Sequence, residues 1–150
     1  MLATVHALTG FAIGASLNNV PISFAVGFAS HFILDAIPHY DTPVKSSEPN
    51  TISPTQIWVI LFDQLIMLGM TFFIVPYLWP ALLSSLIGAL GAIAPDIISS
   101  MRLFFPELNI GLYRRFNQWH FDIQPRDTAP LIGLLTQLVV VIISVLYIIL

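Results

Sequence analysis

The segment from His31 to Asp41 carries the densest set of side chains that could do chemistry. It reads His-Phe-Ile-Leu-Asp-Ala-Ile-Pro-His-Tyr-Asp and closes a long apolar run. His31 and Asp35 stand four residues apart, so on a helix they share one face, one turn apart. His39 takes the next step of four, although Pro38 ends regular helix just before it. Imidazole nitrogens and carboxylate oxygens at this spacing predict a divalent metal site, with zinc as the first candidate and manganese or magnesium as alternatives.

The composition places this segment in a membrane protein. Hydrophobic residues make up 57% of the 150 and charged residues only 9%, whereas a soluble domain has about 25% charged residues. We expect a single transmembrane helical domain over residues 1–150. The net charge of −3 identifies no partner, and without a basic patch no nucleic acid is expected. With no cysteine, disulfides and thiolate metal sites are excluded.

The order of apolar runs and breaks predicts an all-α membrane protein, a bundle of about five transmembrane helices with two polar cytoplasmic loops. The first run is short for a span, which needs about 20 residues. Ser53 followed by Pro54 is a typical N-cap and first-turn pair. A short amphipathic piece is expected near residues 112–119, inside the second loop. The predicted helices are 2–17, 20–37, 54–75, 81–100 and 130–150, and the predicted loops are 38–54 and 102–128.

Threading five helices through a bilayer puts both loops and the N-terminus on one side. All the basic residues lie on that side, which the positive-inside rule makes cytoplasmic. We therefore expect an integral inner-membrane protein with a cytoplasmic N-terminus and membrane lipid as its partner. The ionisable residues of the helices fall in the same half of the bilayer or just outside it, which predicts one shared site. The basic residues are Lys45, Arg102, Arg114, Arg115 and Arg126, and the shared site would draw on His6, His31, Asp35, Asp63, Asp96 and His120.

Three of the predicted helices carry stripes of small residues at steps of four. Small residues let membrane helices approach closely, so the first, second and fourth helices are expected to pack together with their polar ends meeting. Asp63 lies on the third helix, which has no such stripe. The stripes are His6, Gly10, Gly14; Ser23, Gly27, His31, Asp35; and Ser84, Gly88, Ala92, Asp96, Ser100.

Structural explanations compete with the metal site at several of these residues. The His31–Asp35 pair would also serve as a hydrogen bond inside the bundle. Asp96, which follows Pro95, would also cap a broken helix, and Asp63 would also pair with an interfacial arginine. His6 and His120 would be a packed histidine and an ordinary loop residue, and Arg114 and Arg115 would be topology anchors.

Three motifs together resemble the predicted membrane-bound metal-dependent hydrolases, which are small bacterial and archaeal inner-membrane proteins. The motifs are Thr4-Val5-His6-Ala-Leu-Thr-Gly10, His31-xxx-Asp35-xx-Pro38-His39-x-Asp41 and Gly88-xxxxxx-Pro95-Asp96. That family is distantly similar to the all-helical zinc-dependent phospholipase C and P1 nucleases, which hold zinc with a His-xxx-Asp pair followed by another His. The resemblance implies His31, Asp35 and His39 as metal ligands, with His6 and Asp96 as further ones. The chain departs from the family after Pro95, where it reads Asp96-Ile-Ile, and His120 is the candidate replacement ligand.

The leading functional hypothesis is a metal-dependent hydrolase at the cytoplasmic interface, acting on a phosphoester or phospholipid-like substrate. Asp63 or Asp41 would act as the base or orient a ligand, and Arg114 and Arg115 would hold a headgroup phosphate. The competing hypothesis is a metal-binding scaffold or sensor without catalysis. An ion-permeation pathway is disfavoured because the outer leaflet carries no ionisable group.

Overall fold

The computed structural model describes residues 1–40, 53–105, 107, 110–125 and 128–150. Over these residues the chain is entirely helical, as the sequence predicts, and it has no strand. A 3-10 helix, Val75–Ala81, joins the third and fourth α-helices. The α-helices are α1 (Ala3–Leu17), α2 (Val20–Ala36), α3 (Pro54–Ile74), α4 (Leu82–Phe104), α5 (Gly111–Asp122) and α6 (Pro130–Ile149).

The helix ends follow local sequence chemistry. Ser53 caps α3 in the predicted way, because its side chain accepts from the Gln56 N–H while the Gln56 side chain accepts from the Ser53 N–H. α1 ends at Asn18, whose φ of 44° lies in the left-handed region that asparagine tolerates. The Asn19 side chain then accepts from the Ile22 N–H and starts α2.

The fourth helix is longer than predicted. The sequence places its end near Ser100, but α4 continues to Phe104 with Pro95 inside it. Pro95 does not break the helix, so Asp96 does not cap a broken helix, the structural alternative for that residue. The predicted amphipathic piece is α5, and the five predicted apolar helices correspond to α1–α4 and α6.

Two helical stretches are long and apolar enough to cross a membrane. One runs from α3 through the 3-10 helix to the end of α4 (Pro54–Phe104), and the other is α6 (Pro130–Ile149). α1 and α2 are apolar but shorter. The outer surfaces of α3 and α6 carry large apolar side chains such as Phe72 and Leu138, both more than half exposed.

Helices α1, α2 and α4 form the tightest part of the molecule, which we call the central trio, and this confirms the prediction that they pack together. Their backbones meet at the small-residue stripes. A Cβ atom built on Gly10 would lie 2.5 Å from the Gly88 carbonyl oxygen and the Ala89 Cα, and one on Gly88 would meet the Gly10 carbonyl oxygen. Gly27 likewise faces the Gly88 carbonyl oxygen. Only residues without a side chain permit this approach.

The helices outside the trio join it through single polar residues as well as apolar contacts. Asp63 of α3 accepts hydrogen bonds from the Ala3 N–H at 2.8 Å, the Thr4 N–H at 3.3 Å and the Thr4 hydroxyl. It thus caps the first turn of α1 from another helix, where unpaired N–H groups and the helix dipole favour a carboxylate. Gln137 of α6 accepts from the Leu2 N–H and donates to the Tyr40 carbonyl, both at 2.9 Å.

Candidate metal centre

Four side chains converge where α2, α4 and α5 meet. α2 supplies His31 and Asp35, α4 supplies Asp96 and α5 supplies His120, and one donor atom of each lies within 4.8 Å of the others. The Nε2 atoms of His31 and His120 are 2.9 Å apart, and each is 3.1 Å from Asp35 Oδ2. Asp96 Oδ1 lies 3.5 Å from His31 Nε2 and 3.7 Å from His120 Nε2.

These separations match the edges of a tetrahedral metal site. Zinc binds histidine nitrogen and carboxylate oxygen at about 2.0–2.2 Å, so neighbouring donors in a tetrahedron lie about 3.3–3.6 Å apart. Five of the six separations among the four donors lie between 2.9 and 3.7 Å, around that range, and the sixth, between Asp35 and Asp96, is within 4.8 Å. Two imidazoles and two carboxylates also form a donor set that suits zinc or manganese. The residues therefore fit a divalent ion in both distance and chemistry.

The ring orientation of His31 adds an electronic argument. His31 Nδ1 lies 2.7 Å from the Ala92 carbonyl oxygen, which can only accept, so Nδ1 carries the proton. In the neutral ring, Nε2 therefore presents its lone pair to the other donors. Two carboxylate oxygens and the Nε2 of His120 face that lone pair, so a cation at the centre of the cluster, either a metal ion or a proton, would offset the repulsion between these acceptors. A carbonyl that fixes the tautomer in this way is typical of metal-binding histidines.

The second histidine is oriented by a hydroxyl group. His120 Nδ1 lies 2.8 Å from Ser99 Oγ on α4. Ser99 follows Asp96 by three residues, so one turn of α4 supplies both a donor and the group that holds the opposite ring. His120 is buried although α5 is amphipathic and largely exposed on its other faces.

Asp35 is the hub of the cluster. Its Oδ1 lies 2.7 Å from the Met1 amino nitrogen and 3.2 Å from His6 Nε2. Its Oδ2 faces both ring nitrogens of the cluster and accepts from the Gln124 side-chain amide at 3.1 Å. The His6 ring also stacks on His31, with centroids 4.0 Å apart. His6 therefore supports Asp35 and His31 from behind and lies outside the group of four.

The burial of the four donors is uneven. The side chains of His31 and Asp35 are fully buried and that of His120 is 5% exposed, whereas that of Asp96 is 40% exposed. The cluster is therefore open to its surroundings on the Asp96 side. Structural zinc sites are closed by four protein ligands, so an ion held by all four donors would have no free position, whereas an ion held by three of them would keep one for water or substrate.

The other residues singled out from the sequence lie elsewhere. His39 is buried, but its Nδ1 donates to the Ile37 carbonyl at 2.8 Å and it is not one of the four. Asp63 caps α1, and Asp41 lies outside the described residues. Arg114 and Arg115 are exposed, and at 100° per residue they lie about 120° or more around α5 from His120.

Sequence reasoning missed four groups that support the cluster. Gln124 follows His120 by four residues, a spacing that could have drawn attention to it. The Ala92 carbonyl, the Ser99 hydroxyl and the Met1 amine carry no comparable signal. A main-chain carbonyl or a lone hydroxyl gains its role from the packing of distant helices, which no local pattern encodes.

No protein-family model, curated protein or solved structure matches this chain. The resemblance drawn from short motifs therefore stays a prediction. The convergence of the four donors in an all-helical bundle is the feature that bears most directly on function.

Proposed function

We propose that this chain is an integral membrane protein that binds a divalent metal ion near the cytoplasmic interface and hydrolyses a phosphoester of a lipid-like substrate. The observation that supports it most is the convergence of His31, Asp35, Asp96 and His120 with the His31 Nε2 lone pair directed at the other donors.

The membrane assignment draws on apolar length and on charge. Two helical stretches have the length and apolarity of spans, and α3 and α6 expose large apolar side chains. Threading all five apolar helices through a bilayer puts every basic residue of the chain on the side where the cluster lies. In this topology Arg114 and Arg115, which face away from the cluster, anchor α5 in the headgroup layer.

The four donors would each have a distinct part in holding the ion. His31 and His120 offer neutral nitrogens fixed by Ala92 and Ser99, and Asp35 offers an oxygen oriented by Gln124. Asp96 is the exposed donor, so water and substrate would approach from its side. A divalent ion supplies a Lewis acid that polarises a phosphoryl oxygen and makes water more acidic.

A lipid-like substrate suits the location of this opening. At the membrane interface a headgroup phosphate lies in water while its chain lies among apolar side chains. An apolar side chain lies beside the cluster and supports this choice of substrate. The centroid of the Phe32 ring is 5.4 Å from that of His31 and 5.6 Å from that of His120.

The metal is tested by elemental analysis of protein purified without chelator. We expect about one equivalent of a divalent metal, and its loss in His31→Ala, with Arg115→Ala as the exposed control on α5. Turnover of a generic phosphodiester and of a short-chain phospholipid tests hydrolysis. Metal-free wild-type protein would refute the metal centre, while metal without turnover of either substrate would refute the hydrolase.

The topology is tested separately with reporter fusions after Ser47 and after Leu150. We expect the first in the cytoplasm and the second outside it. The same compartment for both would exclude the five-span arrangement.

One observation favours a second candidate, a cluster stabilised by protons instead of metal. Asp35 already has several nitrogen partners, including the Met1 amine and His6. Protonated histidines around this carboxylate would form an ion-pair hub that holds the helices together. In that case the wild type would contain no metal, and Asp35→Asn would destabilise the protein strongly in metal-free buffer.

A further inference from the structure

The hydroxyl group of Tyr113 occupies an unusual place in α4. It lies 2.8 Å from the Arg102 backbone nitrogen and 2.9 Å from the Ile98 carbonyl oxygen. These two groups are four residues apart and are the pair that an uninterrupted α-helix joins directly. The hydroxyl accepts from the N–H and donates to the carbonyl, so a side chain of α5 forms a link in the backbone ladder of α4.

The same face of α5 carries the metal-site histidine. Tyr113 and His120 are seven residues apart, which is two helical turns, so they project from one side of α5. His120 Nδ1 meets Ser99 Oγ at 2.8 Å, within the α4 turn that lies between Ile98 and Arg102. α5 therefore engages one turn of α4 at two points, and that turn directly follows Asp96.

Side-chain contacts attach α5 to the rest of the bundle. No helix pair involving α5 is among the closely packed pairs of the described residues. Its further contacts are between side chains, chiefly Phe116 and Trp119 against Phe32. Among the hydrogen bonds described for α5, the Tyr113 hydroxyl is the group that binds to main chain on α4.

We propose that Tyr113 is a positioning residue for the metal centre, which acts by holding α5 in the register that brings His120 to His31, Asp35 and Asp96. This inference rests on the metal centre proposed above. Without the hydroxyl, Arg102 and Ile98 keep the spacing of an α-helical hydrogen bond, so α4 can satisfy both groups itself, while α5 loses its hydrogen bond to the α4 main chain. The loss then falls on His120 and not on the α4 helix.

The first test is a zinc competition titration against a chromophoric chelator. We expect Tyr113→Phe to weaken zinc binding by about 10- to 100-fold, the usual effect of losing a group that orients a ligand. Tyr147→Phe, at an exposed tyrosine of α6, is the control and should bind as the wild type does. In the His120→Ala background the same Tyr113→Phe change should alter the affinity by less than about threefold, because the pathway is already removed. Unchanged affinity in Tyr113→Phe, or an equal loss in both backgrounds, would overturn the proposal.

A second measurement needs no metal. The chain has no cysteine, so nitroxide labels at Gln118→Cys on α5 and Leu90→Cys on α4, both exposed, report how the two helices lie. We expect a narrow distance distribution by pulsed electron paramagnetic resonance, which broadens in Tyr113→Phe and not in Tyr147→Phe. An unchanged distribution would refute the role of Tyr113. If the wild type binds no zinc, the metal centre fails, and this measurement still decides whether Tyr113 positions α5.

Discussion

Two buried aspartates in different parts of the molecule have different surroundings. Asp35 lies in the central trio and faces side-chain nitrogens, among them three imidazoles. Asp63 lies on α3 and faces the main-chain N–H groups and the hydroxyl at the start of α1. Titratable rings that can also bind metal surround the first carboxylate, and a helix end neutralises the second. The groups that face a buried carboxylate therefore indicate whether it belongs to a chemical site or stabilises a helix end.

The helices that carry these two aspartates also differ in how closely their backbones pack. In the trio, helices meet at glycines whose neighbours leave no room for a Cβ atom, as at Gly88. On α3, Gly69 has nothing within 4 Å of a built Cβ. Tight backbone contact fixes the trio that carries three of the four donors, whereas α3 joins it through its cap on α1 and through apolar side chains such as Ile74.

The sharpest way to test the contrast is to neutralise each carboxylate. Asp35→Asn should lower zinc affinity by about 100-fold or more, because it removes a ligand and the negative charge at the hub. Asp63→Asn should leave zinc affinity within about threefold of wild type. Isothermal titration in detergent measures both. Equal losses in the two variants would mean that Asp63 also belongs to the metal site.

A large side chain in place of a glycine should lower the stability of the central trio much more than that of α3. Gly88→Leu would drive a side chain into the Gly10 backbone, and we expect destabilisation of at least about 3 kcal/mol or failure to fold. Gly27→Leu should behave similarly, because its Cβ would meet the Gly88 carbonyl.

The matched control is Gly69→Leu on α3, with Val140→Leu on α6 as a second. The free energy of unfolding of each variant should lie within about 1 kcal/mol of the wild-type value, as measured by denaturant unfolding in detergent. If Gly88→Leu were as stable as Gly69→Leu, the trio would not be held by close backbone contact.

The cap on α1 should have an intermediate effect on stability. Asp63→Asn removes the charge that faces the first turn of α1, which should cost about 1–2 kcal/mol of unfolding free energy. Thr4→Val removes the hydroxyl donor and should cost about 1 kcal/mol. The two losses should not be additive in the double variant, since both residues share one network. Fully additive losses would show that the pair does not act as a unit.

The smallest expected effect has the opposite sign. Gly69→Ala should raise stability by about 0.5–1 kcal/mol, because alanine is the better helix former and the site has open space. Gly88→Ala should lower it, since even a methyl group meets backbone there. A gain in stability at both positions would contradict the packing difference between α3 and the trio.

Much of the helical framework follows from local sequence. Ser53 and Pro54 mark the start of α3, and the small-residue stripes that contain Gly27 and Gly88 correctly indicate which helices pack together. The end of α4 is less well predicted, because the helix runs through Pro95, as expected, but continues past Ser100 to Phe104. The spacing of His31 and Asp35 reflects helix geometry and needs no knowledge of the fold.

The rest of the site depends on contacts between distant parts of the chain. His39 continues the step of four in sequence, but the backbone turns after α2 and its ring bonds back to Ile37. His120 reaches the cluster only because α5 folds back onto α4, through Tyr113 and Ser99. Local spacing therefore wrongly includes His39 and does not reveal that His120 lies beside Asp35.

The Gln137 bridge has a consequence for the order of assembly. Its amide joins Leu2, at the beginning of α1, to Tyr40, just after α2. Those two main-chain groups are synthesised before Gln137, which lies 97 residues further along the chain than Tyr40. Before α6 packs against them, the Leu2 N–H and the Tyr40 carbonyl need another hydrogen-bond partner, and Gln137 does not yet join these two segments. The two ends of α1 and α2 that lie near Asp35 are therefore joined through this amide only after α6 has been made and has packed against them.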